Sequence, residues 1–351
     1  MKKLIFLIVC ISILSASLAS CRQATEPQSD QTKSTSIEDK SIASYFPVKE
    51  NTLYVYEGDW HELASHEIYN TYLTDNIIQR RLKTSQSEGI EILSFEKDEI
   101  KVIFADAGVY YYENLTNVVP SLDFVVLREP LELGNSWSMD ETKTREITNV
   151  SVEVETPMGT FDALEVTIRH IDGAEDKEYY VKDLGLVKYV FKRANGVQNE
   201  TVLTEVVEDT GFQRSFLYYS PDNEENSIIS EERNLIIHTN TDLKNQFEAE
   251  MKTDTRNTMA LFTENTKINL LEVDRTKSLV HLDLSEDFIT ERSIGGGIEA
   301  LILQSITNTL CHFYQVYNMQ ITIDGGVYES SHFTIEMGEF LEIDIHGGDS
   351  Q

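Results

Sequence analysis

Residues 279–325 read LVHLDLSEDFITERSIGGGIEALILQSITNTLCHFYQVYNMQITIDG, and this stretch decides the fold of the C-terminal part. Val280, Leu282 and Leu284 alternate with His281, Asp283 and Ser285 at the period of a strand. Gly295-Gly296-Gly297 then precedes a helix on which Ile298, Leu301, Ile302, Ser305, Ile306, Thr309 and Phe313 share one face. Met319-Gln320-Ile321-Thr322-Ile323 alternates again and turns at Asp324-Gly325-Gly326. Upstream, 216–221 and 235–238 are strand runs, Leu243, Phe247 and Met251 form a narrow helical stripe, and 268–273 is a further strand. The order ββαββ–α–β predicts an α+β domain over 212–345, followed by a tail at 346–351.

Further upstream the texture changes. Between 45 and 207 short apolar–polar alternations such as Leu53-Tyr54-Val55-Tyr56 and Leu164-Glu165-Val166-Thr167-Ile168 are separated by polar turns. β-branched residues and tyrosine are plentiful and helical periodicity is nearly absent, with 60–66 as the one helical candidate. Repeated strands with tight turns predict an all-β antiparallel sheet, curled into a partial barrel. Gly134, Gly159 and Gly185 stand where turns need glycine, and Trp137 and Phe161 are expected core anchors. The chain therefore divides into two domains of different build.

The C-terminal motifs resemble a known family. Val280-His281-Leu282-Asp283-Leu284-Ser285, the Gly295-Gly296-Gly297 turn, Gln304-Ser305-Ile306-Thr307-Asn308-Thr309-Leu310 and Ile321-Thr322-Ile323-Asp324-Gly325 follow one another as in the GerMN domain of sporulation and spore-germination proteins. Leu284 replaces a more usual Phe, and the segments 252–266 and 325–337 depart from the family pattern. The resemblance implies a compact non-catalytic module, shaped like ring-building motifs, that associates with an envelope protein or with itself. It also makes Asp283, Gly295, Gly296, Gly297, Gln304, Ser305, Asn308, Asp324 and Gly325 the family-motif positions. YFPVKENTLYVYEG at 45–58 and LREPLELGNSWSM at 127–139 more loosely resemble TapB-like exported β-domains.

The N-terminus carries an address. Lys2 and Lys3 precede an apolar run from Leu4 to Leu14, and Leu18-Ala19-Ser20-Cys21 follows. That is the layout of a secretory signal, and L-A-S-C resembles the bacterial lipobox. The resemblance implies cleavage after residue 20, a diacylglycerol on Cys21 and a lipid anchor on the extracytoplasmic face of the cell membrane, which the GerMN resemblance would place in a Gram-positive-type, endospore-forming bacterium. Residues 21–44, polar and nearly without aliphatic side chains in 22–40, are expected to be a disordered tether.

Charge and cysteine content bound the function. With 60 acidic and 29 basic residues the chain has a formal charge of −31, which excludes nucleic acid as a partner. Of three cysteines, Cys10 leaves with the signal and Cys21 takes lipid, so Cys311 is alone and no internal disulfide is expected. No catalytic or metal-binding motif emerges, and no cofactor beyond the lipid is expected. The Gly295–297 turn lacks the Lys-Ser/Thr of a phosphate loop, and Glu299 in the first turn would repel an anion. Cys311 and His312 point about 100° apart on a helix and cannot share a proton. Ser305 is expected to bond back to its own helix, and Asn308 to cap the sheet or face a partner. The sequence thus reads as a non-catalytic, lipid-anchored interaction module. The alternative is a carrier or sensor whose curled sheet holds a lipid or other apolar ligand. A large cavity within 45–207 would favour that alternative.

Overall fold

The computed structural model describes residues 41–59, 64–192, 198–222, 224 and 226–345. The signal and lipobox (Leu18, Ala19, Ser20, Cys21), most of the tether, the 346–351 tail and residues 60–63 lie outside them. The end of the helical candidate at 60–66 is overturned, since His66 opens a strand and its ring stacks on Tyr56 at 4.8 Å.

A single 3-10 turn, Ile42–Tyr45, leads into the sheet. The first half comprises β1 (Leu53–Gly58), β2 (His66–Leu73), β3 (Ile77–Thr84), β4 (Glu88–Phe95), β5 (Glu99–Ala107) and β6 (Phe124–Arg128). The second half comprises β7 (Ser136–Ser138), β8 (Lys143–Thr156), β9 (Gly159–His170), β10 (Glu175–Val181), β11 (Gly185–Lys192) and β12 (Gln198–Val207). Among the described residues these twelve strands make one antiparallel sheet in the order β6-β5-β4-β3-β2-β1-β12-β11-β10-β9-β8-β7. Each half is a meander, and β1 and β12 join the two halves at the centre. Gly134, Gly159 and Gly185 all sit at positive φ, as their turn positions require.

The sheet curls until its edges meet without a ladder. Side chains make the seam: the Trp137 indole N–H of β7 donates to the Val125 carbonyl of β6 at 3.0 Å. Arg145 of β8 donates to the Val126 carbonyl at 2.8 Å. Trp137 is therefore an anchor, buried among Leu127, Ile147 and Leu164.

The C-terminal part begins with a hairpin, β13 (Phe212–Pro221) and β14 (Ile228–Ile237), followed by α1 (Leu243–Met251). Asp242 caps α1 by accepting from the Lys244 N–H, and Leu243, Phe247 and Met251 are its buried stripe. Next come β15 (Ile268–Asp274), β16 (Leu279–Leu284), a short α2 (Asp287–Thr290) that the sequence reading lacked, α3 (Gly296–Tyr314) and β17 (Asn318–Ile323). Two-residue strands β18 (Tyr328–Glu329), β19 (Thr334–Ile335) and β20 (Leu341–Glu342) complete it. The sheet order is β15-β16-β17-β20, with β16 and β17 parallel across the α2–α3 crossover.

Helix α3 departs from the one-face expectation. Leu303, Thr307, Asn308, Leu310 and Cys311 are buried along with Ile302, Ser305, Ile306, Thr309 and Phe313, so the helix is enclosed on most sides. Its closest companion is β13, whose Tyr219 N–H donates to Thr309 Oγ1 at 3.0 Å. The core around α3 also takes in Tyr69 and Tyr72 of β2 and Tyr112 of the β5–β6 connection. The two parts thus share apolar packing. Among the described residues no helix is long and apolar enough to cross a membrane.

Candidate functional site

The family-motif residues gather at the two ends of the parallel pair β16–β17. Asp283 is buried near the end of β16. Its Oδ1 accepts from the Thr322 hydroxyl at 2.5 Å and from the Gly325 N–H at 2.8 Å, while Oδ2 accepts from Asn269 at 3.0 Å. Burial opposes the charged form, but these three donors outweigh it and hold the Asp283 carboxyl below its ordinary range. Asp324 and Gly325 turn the chain with φ of 46° and 75°. Asp324 accepts from Asn269 at 3.0 Å and from the Glu286 N–H at 3.3 Å. The D…DG motif is a knot that closes two strand ends.

The helix motif serves the opposite edge. Asn308 donates to the Asp344 carbonyl at 2.6 Å and accepts from the Asp344 N–H at 2.8 Å. Gln304 donates to Asn308 Oδ1 and to the Glu342 carbonyl, both at 2.9 Å. Of the two roles expected for Asn308, the structure shows the cap: its amide stands in for a missing strand and binds β20 and its extension.

Ser305 corrects an expectation, because its buried hydroxyl has no hydrogen-bond partner; Thr307 and Thr309 instead bond back to the carbonyls of Leu303 and Ser305. Of the three glycines, Gly295 is the N-cap and Gly296 and Gly297 lie inside the first turn of α3. A Cβ on Gly296 would approach His332 to 3.2 Å, whereas Gly295 and Gly297 face open space. Glu299 is buried and accepts from the Tyr328 hydroxyl at 2.6 Å. Burial alone pushes the Cys311 thiol up to about 12, so it is an inert core group rather than a nucleophile.

The sequence reading missed the line His281–Thr322–Asp283. The His281 Nε2 lies 3.0 Å from the Thr322 hydroxyl that donates to Asp283. Thr322 is buried, so the line fastens β16 to β17 and presents no nucleophile.

A second candidate lies inside the curled sheet. A cavity of about 350 Å³ opens between the two halves, walled by apolar residues such as Phe46, Ile78, Val102 and Leu186. Two ion pairs line it. Arg80 of β3 faces Glu91 of β4 in register and donates twice to its Oε2, at 2.9 and 2.6 Å. Arg145 grips Glu178 with both terminal nitrogens, at 2.7 and 3.0 Å, and Tyr180 donates to the same carboxylate at 2.7 Å. Two residues of the wall each carry an enclosed polar atom without a partner among the described residues, the Tyr54 hydroxyl and the Arg145 Nε–H. Burial, with Glu208 adding, pushes the Tyr54 phenol up to about 12, which keeps it a neutral hydrogen-bond donor. No sequence motif announces this lumen, because its residues come from six or more strands and meet only through the sheet register.

Comparison with known proteins supports the C-terminal resemblance. Three solved structures are similar in part. A candidate lipoprotein of Clostridium perfringens is 12% identical, with 38% of this chain and 88% of that one covered and a TM-score of 0.25. A candidate lipoprotein of Parabacteroides distasonis is 16% identical over 48% of this chain and 100% of that one, with a TM-score of 0.28. A candidate exported protein of Bacteroides fragilis with a YmcC-like fold is 12% identical over 46% and 98%, with a TM-score of 0.30. No curated protein matches the chain. Residues 216–329 match the family model Germane, described as "Sporulation and spore germination", and the segment that folds around α3 is accordingly a Germane, or GerMN-type, domain.

Proposed function

We propose that the protein is an extracytoplasmic lipoprotein, tied to the membrane by a diacylglycerol on Cys21. Its Germane domain docks an envelope protein or a second copy of itself during sporulation, germination or envelope assembly. The Germane match over 216–329 is the observation that carries this reading. The site geometry supports association over chemistry. Asp283, Asp324, Gln304 and Asn308 spend their hydrogen bonds on closing turns and holding β20. Contacts with a partner fall to the edges and loops, where Tyr317 is 71% exposed, Met337 57% and Phe340 47%.

A photo-crosslinking residue in place of Tyr317, in the full-length protein in intact cells, tests the docking role. A discrete product in sporulating or germinating cells, weakened by Phe340→Glu, is the expected result, and its mass separates an envelope protein from self-association. Absence of any product at Tyr317, Met337 or Phe340 in growing, sporulating and germinating cells would sink the docking role. Cys21→Ser should move the protein from the membrane to the soluble fraction; retention at the membrane would refute the anchor.

A further inference from the structure

We propose that a small cavity of the Germane domain, beside the first turns of α3, binds a zwitterion: a free α-amino acid with an apolar side chain. This is a binding activity separate from docking. The cavity holds about 280 Å³ and is lined by Arg292, Glu299 and Tyr328 together with Phe288, Ile289 and Ile302. Small-molecule sites usually hold about 300–1,000 Å³, so a space just under that range suits a ligand of amino-acid size.

Its two charges are opposite and unpaired. Glu299 is 7% exposed, and one of its oxygens is bonded: Oε1 accepts from the Tyr328 hydroxyl at 2.6 Å. Arg292 donates through Nη2 to the Leu261 carbonyl, and its guanidinium lies 4.7 Å from the centre of the Phe288 ring. Among the described residues neither side chain has a salt-bridge partner, and the two do not reach each other. Arg292 Nη1 and Glu299 Oε2 carry no hydrogen bond, yet unlike Arg292 Nε they are not sealed atoms, so the cavity is open to both. Burial lowers the Arg292 pKa while Tyr328, Tyr218 and Glu299 oppose it, so the guanidinium and the carboxylate act on one another across the space. A buried charge without a counterion is costly. One ligand relieves both charges, with its carboxylate on Nη1 and its ammonium on Oε2. A bare anion would meet Glu299 and a bare cation would meet Arg292, so both charges must come on one small molecule. The apolar wall then receives its side chain. Leu261 and Phe288 fix Arg292, and Tyr328 fixes Glu299, before any ligand arrives, which lowers the ordering cost of binding.

The test is calorimetric titration of the full chain carrying Cys21→Ser with L-valine and L-leucine. Each is run beside its amide, which keeps only the ammonium, and its N-acetyl form, which keeps only the carboxylate. Saturable one-to-one binding of a free amino acid, at least about tenfold tighter than either analogue, is expected. Glu299→Gln keeps an acceptor for Tyr328 and removes the charge. It should erase the preference over the N-acetyl form and leave the preference over the amide. Arg292→Gln should do the reverse. This crossed pattern reads charge recognition apart from any general loosening of the fold. No saturable binding of either amino acid up to about 10 mM would overturn the proposal. So would equal affinity for the analogues, or two variants that weaken all three ligands alike.

Discussion

The N-terminal sheet and the Germane domain both bury strongly polar groups, but they satisfy the buried ones in different ways. In the sheet, charge meets charge between strands, across the β3–β4 hairpin in Arg80–Glu91 and from β8 to β10, 33 residues on, in Arg145–Glu178. In the Germane domain the buried motif groups meet backbone and neutral side chains: Asp283 takes the Gly325 N–H, the Thr322 hydroxyl and the Asn269 amide, and Asn308 brackets residue 344, while ion pairs such as Glu248 with Lys252 and Lys267 lie nearer the surface. The first device sets strand partners and leaves a lumen between them. The second closes turns and leaves an enclosed helix. Removing one member of a sheet pair strands its buried partner, whereas removing a Germane anchor frees backbone groups that lie near solvent. Costs should differ accordingly.

The sharpest way to break this contrast is at the junction, where Arg81 belongs to both regions. Its guanidinium is buried, pairs with Glu88 at 2.9 Å, donates to the Val109 and Tyr111 carbonyls at 2.6 Å and lies over Tyr112. The other oxygen of Glu88 takes Arg214 of β13 at 2.8 Å. Arg81→Met should cost about 3–5 kcal/mol, the usual loss when a buried pair is broken from one side. Because Tyr69, Tyr72 and Tyr112 lie in the same core as Phe212 and Phe216, amide exchange should show both regions losing protection together. Full protection retained in α3 while β2–β4 open would show that the two regions fold independently.

Asn308 sharpens the other side. Asn308→Ala deletes both bonds to residue 344 and one to Gln304, leaving β20 and its extension with their backbone bonds to β17 and the Gln304 bond to the Glu342 carbonyl. A loss of about 1–3 kcal/mol is expected in urea unfolding. Faster exchange should be confined to 341–345, with the sheet region untouched. Exchange spreading into β1–β12 would mean that the Germane anchors also hold the sheet.

Periodicity made much of this legible. Strands β15, β16 and β17, the buried stripe of α1 and the body of α3 follow from alternation or helical spacing in local sequence. The turn glycines at 134, 159 and 185 were readable because few other residues tolerate their φ. What escaped was non-local. Nothing near Arg145 says that its partner will be Glu178, 33 residues on, and nothing near Trp137 says that it will seal a seam. The one-face reading of α3 failed because polar residues such as Thr307 and Asn308 look solvent-facing until the strands that enclose them are known. Ser305 shows the same limit, since a hydroxyl that can bond to its own helix need not do so.

Glu248 offers the smallest effect and a pH signature for the Germane side of the contrast. It projects from α1 and ties β15 in place, accepting from the Ile268 N–H at 3.0 Å while Lys252 and Lys267 reach its other oxygen at 2.8 and 3.0 Å. Burial disfavours its charged form, but these donors win and bring its pKa from 4.5 down to about 2. A carboxyl depressed in the folded state stabilises wherever it is ionised in both states, and loses that contribution as pH falls from about 4.5 toward about 2. Glu248→Gln keeps an acceptor for Ile268 and gives up both lysines, so it should cost about 1–2 kcal/mol at neutral pH. The gap between variant and parent should narrow steadily as urea titrations move from pH 5 to about pH 3. A gap that stays constant with pH would mean that Glu248 acts through packing and not through charge. The Germane domain would then have to be regarded as held by shape, with its ion pairs as surface decoration.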